Sequence, residues 1–107
     1  MNELQLEIIT PSKKAYSGMI KSIIIPGTAG SFQVLFNHAP ILSTFEIGII
    51  KIEFSEDKTL YFSTGGGTVE VTDNNILILA DSIEKVEDVD RTKNAIERTK
   101  KKVEKKK

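Results

Sequence analysis

Residues 64–80, "TGGGTVEVTDNNILILA", decide how this chain folds. Three glycines lead into Val69 and Val71, which alternate with Thr68, Glu70 and Thr72. Asp73, Asn74 and Asn75 are turn formers, and "ILILA" follows with Ile76 and Ile78 two apart. A period of two places alternate side chains on opposite faces, so this is strand, turn, strand with one buried side. Glycines between two strands mark a bulge or the close approach of another backbone. A phosphate loop would need a Lys-Ser/Thr pair and a helix N-terminus aimed at the anion. Here no such pair is present, and a strand follows the glycines.

The same alternation extends back to residue 4. Leu4, Leu6 and Ile8 share a face until Thr10 and Pro11 stop the run. "YSGMIKSIIIP" supplies a short strand and a longer one, ended by Pro26 and Gly27. Phe32 and Val34 alternate with Ser31 and Gln33; "ILSTF" comes after Pro40, then Gly48 and "IIKIEF". "SEDK" reads as a hairpin turn before "TLYFST", whose Leu60 and Phe62 face inward. Short β-branched strands with turn signals every 8–12 residues or so predict a mainly β protein, a sandwich or a barrel. The predicted core is Leu6, Ile8, Ile24, Val34, Ile50, Ile52, Leu60, Phe62, Val69, Ile76 and Ile78.

The tail has another character. From Asp88 onward there is no Gly or Pro, and Val89, Ile96 and Val103 recur every seven residues with Thr92 and Thr99 between them. That is one thin face of a single C-terminal α-helix, with Asp88 as N-cap and Glu97 to Lys101 as an i,i+4 pair. So thin a stripe needs packing against something else to hold a helix. The expected organisation is therefore a β-sandwich domain over 1–84 and a Lys-rich helical tail over 85–107.

Composition narrows the function classes. A chain of 107 residues holds one ordinary domain and an appendage. Without cysteine it has neither a disulfide framework nor a thiolate metal site. With one histidine and no acidic cluster, no metal or other cofactor is expected. The apolar runs are too short to span a bilayer. The N-terminus lacks a basic stretch followed by an apolar core, so no secretory signal is expected. Net charge is zero but uneven: residues 81–107 carry 10 of the 15 Lys/Arg and 7 of the 15 Asp/Glu, leaving 5 against 8 in residues 1–80. A Lys-rich terminus would suit nucleic acid or anionic lipid, yet no aromatic residue or arginine cluster accompanies it. A solvated helix end, whose dipole favours cations, explains it.

His38 is the one candidate for acid–base chemistry. Such work needs a group to orient the imidazole and a nucleophile in reach. Ser43, Thr44 and Glu46 lie nearby in sequence but form no motif with it. Asn37 and Pro40 are turn formers, so His38 is expected to shape a turn beside an exposed Phe36.

Taken together, "ITP…YSG…IIIPGTAGSFQVLFNHAPILSTFEIGIIKI…TGGGTVEVTDNNILILADSIE…DVD" resembles the epsilon subunit of F-type ATP synthases. The resemblance runs from residue 3 to about 95. It rests on Pro26 and Gly27 with Gly30; His38-Ala39-Pro40; Gly48; Gly65 and Gly66 with Glu70 and Val71; and Leu79-Ala80-Asp81. It implies an antiparallel two-sheet β-sandwich of about ten strands followed by a helical part. It also implies a non-catalytic central-stalk subunit that joins the gamma subunit to the membrane c-ring during proton-driven ATP synthesis. Contact with the alpha and beta catalytic subunits would be indirect. Such a protein meets the membrane only through its complex, as a peripheral component on the cytoplasmic face of the bacterial inner membrane, and takes no nucleic acid partner. The resemblance further implies c-ring contact through Ser31, Phe36, Asn37 and His38. Ser31 stands where the family often has an acidic residue. Gamma contact is implied around Gly65, Gly66, Glu70 and Val71. Some members bind ATP through a segment of the form Ile/Leu-Asp-x-x-Arg-Ala. It falls here on Val89, Asp90, Lys93 and Asn94, and Lys93 lacks the bidentate fork of arginine, so neither ATP binding nor strong inhibition is expected. The alternatives are a free-standing β-sandwich module with a basic tail for nucleic acid or an anionic membrane surface, and a small hydrolase using His38.

Overall fold

Leu4, Leu6 and Ile8 are fully buried while Gln5, Glu7 and Ile9 between them are half-exposed, so the first strand already divides inside from outside. A computed structural model describes residues 2–86 of the chain. The expected tail helix, and with it Val89, Asp90, Lys93 and Asn94, lies outside the described residues.

Ten strands occur in the described residues: β1 (Leu4–Ile9), β2 (Lys14–Ile20), β3 (Ser22–Ile25), β4 (Phe32–Val34), β5 (Ile41–Phe45), β6 (Gly48–Ser55), β7 (Lys58–Thr64), β8 (Gly67–Thr72), β9 (Asn75–Ala80) and β10 (Ile83–Val86). They form two five-stranded sheets, ordered β2-β1-β9-β8-β5 and β10-β7-β6-β3-β4. β10 carries strand structure two residues past the expected limit at 84.

One pairing departs from the antiparallel expectation: β1 and β9 run parallel, with Leu6 opposite Ile76 and Ile8 opposite Ile78. β1 has its hairpin partner β2 on one side, and β9 has its hairpin partner β8 on the other. The two hairpins join through their remaining edges. The register that results keeps Leu6, Ile8, Ile76 and Ile78 all on the core side. A parallel pair needs a long connection, and here the rest of the sandwich supplies it.

The core is otherwise close to expectation. Leu6, Ile8, Val34, Ile50, Ile52, Phe62, Val69, Ile76 and Ile78 are buried, and Leu60 packs against them half-exposed. Ile24 is a correction. It pairs with Lys51 and Gln33 and lies half-buried on the outer face, whereas Ile23 and Ile25 point inward. "SIII" has no internal alternation to choose a face. Ile23 opposite Ile52 and Val34 makes the choice.

The chain changes sheet three times at one end of the sandwich, the first where Glu46 and Ile47 carry it from β5 to β6. Gly65 and Gly66 carry it from β7 to β8, and Asp81 and Ser82 carry it back from β9 to β10. These last two crossings are bonded to each other: Gly65 N–H donates to Ser82 O (3.2 Å), and Asp81 N–H donates to Gly66 O (2.9 Å). The buried Thr64 hydroxyl donates to Ser82 O (3.0 Å) and accepts from Gly66 N–H (3.2 Å). Gly66 has φ +99°, and a Cβ there would sit 3.0 Å from Phe45 O. A Cβ on Gly67 would overlap the Leu79 carbonyl oxygen. Close backbone approach therefore accounts for the glycine run.

Candidate functional site

Residues 35–40 connect β4 of one sheet to β5 of the other at the end opposite those crossings. His38 N–H donates to Leu35 O (3.0 Å), closing a tight turn over Phe36 and Asn37. Asn37 adopts φ +64°, a left-handed conformation that asparagine tolerates better than most residues. Leu35 and Phe36 are 52% and 38% exposed, so the turn offers apolar surface to solvent. His38 is half-exposed, and its Nδ1 lies 2.7 Å from Ala39 O. A carbonyl can only accept, so neutral His38 carries its proton on Nδ1 and leaves Nε2 as an acceptor. The expected turn beside an exposed Phe36 is therefore present.

A second hairpin holds this loop. Asn37 N–H donates to Asn74 Oδ1 (2.6 Å), and Asn74 Nδ2 donates to Asn37 Oδ1 (3.1 Å). Asp73 and Asn74 make the two-residue turn between β8 and β9, with φ of +49° and +63°. Asn-rich turns are favoured where both central residues must be left-handed. Asn74 did not stand out in the sequence. Its turn was legible, but its partner lies 37 residues away.

The structure separates the other expected contact residues. Ser31 precedes β4, at the far end of that strand from Phe36, Asn37 and His38, so the four do not form one patch. Gly65 and Gly66 lie at Ser31's end, in the crossing. Glu70 is exposed on the outer face of β8, opposite Leu42. Val71 is fully buried, so its side chain faces the core and not a partner. Three apolar side chains not expected as contacts, Met19, Leu42 and Leu79, are exposed on that same sheet; Leu42 reaches 78%. Their strands alternate in and out, and these positions fall on the outward side.

Among the described residues no three His, Cys, Asp or Glu side chains gather to hold a metal ion. No helix in them is long and apolar enough to cross a membrane. A shallow groove of about 430 Å³ runs beside the crossing, between Ile47 and Ile83.

Residues 3–86 match the family model described as the ATP synthase delta/epsilon chain beta-sandwich domain. The chain belongs to that family. Among its relatives, the ATP synthase epsilon chain of Leptospira interrogans is 44% identical over 89 residues, which is 83% of this chain and 69% of the relative. The epsilon chain of Salinibacter ruber is 34% identical over 113 residues, 96% of this chain and 76% of its own length. The delta/epsilon fold also appears in a chain of the Euglena gracilis mitochondrial ATP synthase assembly containing OSCP, F1 and the c-ring. The TM-score there is 0.77 at 19% identity, over 94% of this chain and 65% of that one. A chain of the Tetrahymena thermophila central stalk and c-ring has a TM-score of 0.65 at 22% identity, over 76% and 65%. This chain thus spans just under two thirds of the length of each solved chain.

Proposed function

We propose that this epsilon-family chain is a non-catalytic central-stalk subunit of an F-type ATP synthase, coupling the gamma subunit to the c-ring. The observation that carries the reading is the family match over the whole sandwich, together with relatives of 34–44% identity that are ATP synthase epsilon chains. Its place is peripheral, on the cytoplasmic face of a bacterial inner membrane, held there by the complex. Torque has to pass through a coupling subunit without being lost to internal slippage. Two five-stranded sheets closed over one apolar core suit that task, because packed interiors deform little.

Phe36 and His38, on the turn between β4 and β5, are the proposed c-ring contacts. Glu70 and the outward Leu42 and Leu79 are the proposed surface toward gamma. Ser31, at the other end of β4, belongs to neither patch.

The tail is assigned little inhibitory and no ATP-binding role. Support comes from Lys93 in place of arginine and from the thin stripe of Val89, Ile96 and Val103. A surface of that kind binds weakly and would shift an inhibited state's population only slightly. Deleting residues 88–107 and reconstituting the complex should leave the rate of ATP hydrolysis unchanged. A several-fold rise would show that the tail inhibits.

A further inference from the structure

The two amides that face each other across Asn37 and Asn74 satisfy each other completely on the facing side. Asn37 N–H is a fixed donor, so the Asn74 oxygen must face it, and Asn74 Nδ2 is thereby aimed at Asn37 Oδ1. The base of this clamp is itself anchored. Asn74 C=O accepts from Gln5 N–H (2.9 Å), which ties the turn to β1 as well as to β8 and β9. The other side of the clamp is the only part of the β4–β5 turn in the left-handed region. Among the described residues, the side chains of Phe36 and His38, its immediate neighbours, bond to no other strand; the His38 ring bonds to Ala39 O.

We infer that Asn37 and Asn74 are positioning residues. They hold the β4–β5 turn in the one shape that presents Phe36 and His38 to a partner. This rests on the proposed contact role of Phe36 and His38. Asn37 uses its backbone N–H and side-chain oxygen internally, which fixes its side chain against Asn74. The clamp also joins a turn that links the two sheets to a hairpin of one sheet. A force arriving at Phe36 and His38 therefore passes into β8, β9 and β1, and not only along the chain into β4 and β5.

Asn74→Gly tests this, because glycine accepts the left-handed turn conformation and removes only the amide. In the full-length chain, the Asn37 amide should exchange with solvent faster by roughly the tenfold expected for one ordinary hydrogen bond. The urea unfolding midpoint should fall only slightly, because the lost bonds are exposed to solvent. Asn74→Asp keeps the acceptor for Asn37 N–H and loses the donor, so its effect should be smaller. In complexes reconstituted with gamma and c-ring, assembly should weaken several-fold for Asn74→Gly and less for Asn74→Asp. An Asn37 amide that exchanges no faster in Asn74→Gly would overturn the inference, as would assembly that stays normal or that falls only in step with the unfolding midpoint. Replacing Phe36 and His38 by Asp in parallel keeps the two ideas apart. Normal assembly of that variant would sink the contact reading, while amide exchange in the isolated chain still decides whether the clamp holds the turn.

Discussion

Ile52→Ala is expected to destabilise the sandwich by roughly 2–5 kcal/mol, the largest single-site stability effect anticipated here. Ile52 is fully buried near the middle of β6, the central strand of its sheet, with Ile23 on one side and Leu60 on the other. Removing three carbons there costs their transfer free energy. It also leaves a cavity that a strand bonded on both edges cannot easily collapse. Against the 5–15 kcal/mol that holds a typical domain together, such a loss is a large share. Urea unfolding followed by circular dichroism would measure it. A loss below about 1 kcal/mol would mean that Ile52 does not sit in a tightly packed core.

The second large effect is functional. Replacing Phe36 and His38 together by Asp should impair proton-coupled synthesis or assembly in a reconstituted complex while the isolated domain stays folded. Both side chains belong to a turn with exposed surface, so two carboxylates there disturb no core packing. At an interface they would replace an aromatic ring and an imidazole by two carboxylates that must be desolvated. Unchanged proton pumping, with the same unfolding midpoint, would remove this turn from the c-ring contact. If a charged substitution at Ser31 impaired pumping instead, the opposite end of β4 would be the one that meets the ring.

Where alternation was clean, the sequence told inside from outside. Val69 and Val71 against Thr68 and Glu70 gave β8 its buried face, and Leu4, Leu6 and Ile8 did the same for β1. Where alternation was absent, it could not. In "SIII" every register looks apolar, and only the facing Ile52 and Val34 settle that Ile24 points out. The parallel union of β1 and β9 was illegible for a related reason. Strand direction across a sheet depends on how distant hairpins meet, and nothing local to Leu6 or Ile76 records it. The candidate site was legible in part. Turn formers at Asn37 and Pro40 announced the loop, and the glycine run announced a close backbone approach. That Ser31 and His38 lie at opposite ends of β4 follows from strand length and needed the fold. The resemblance implies a contact at Val71, whereas its alternation with Glu70 places it inside. The pairing of Asn37 with Asn74 joins two turns that no motif connects.

The most direct test of a coupling role is to purify the tagged chain from native membranes and identify what comes with it. A gamma-type subunit and c-ring subunits should co-elute in stoichiometric amounts, and they should stay bound at salt concentrations that strip loosely held basic proteins from anionic surfaces. Recovery of the chain alone, or with nucleic acid that salt removes, would contradict that role.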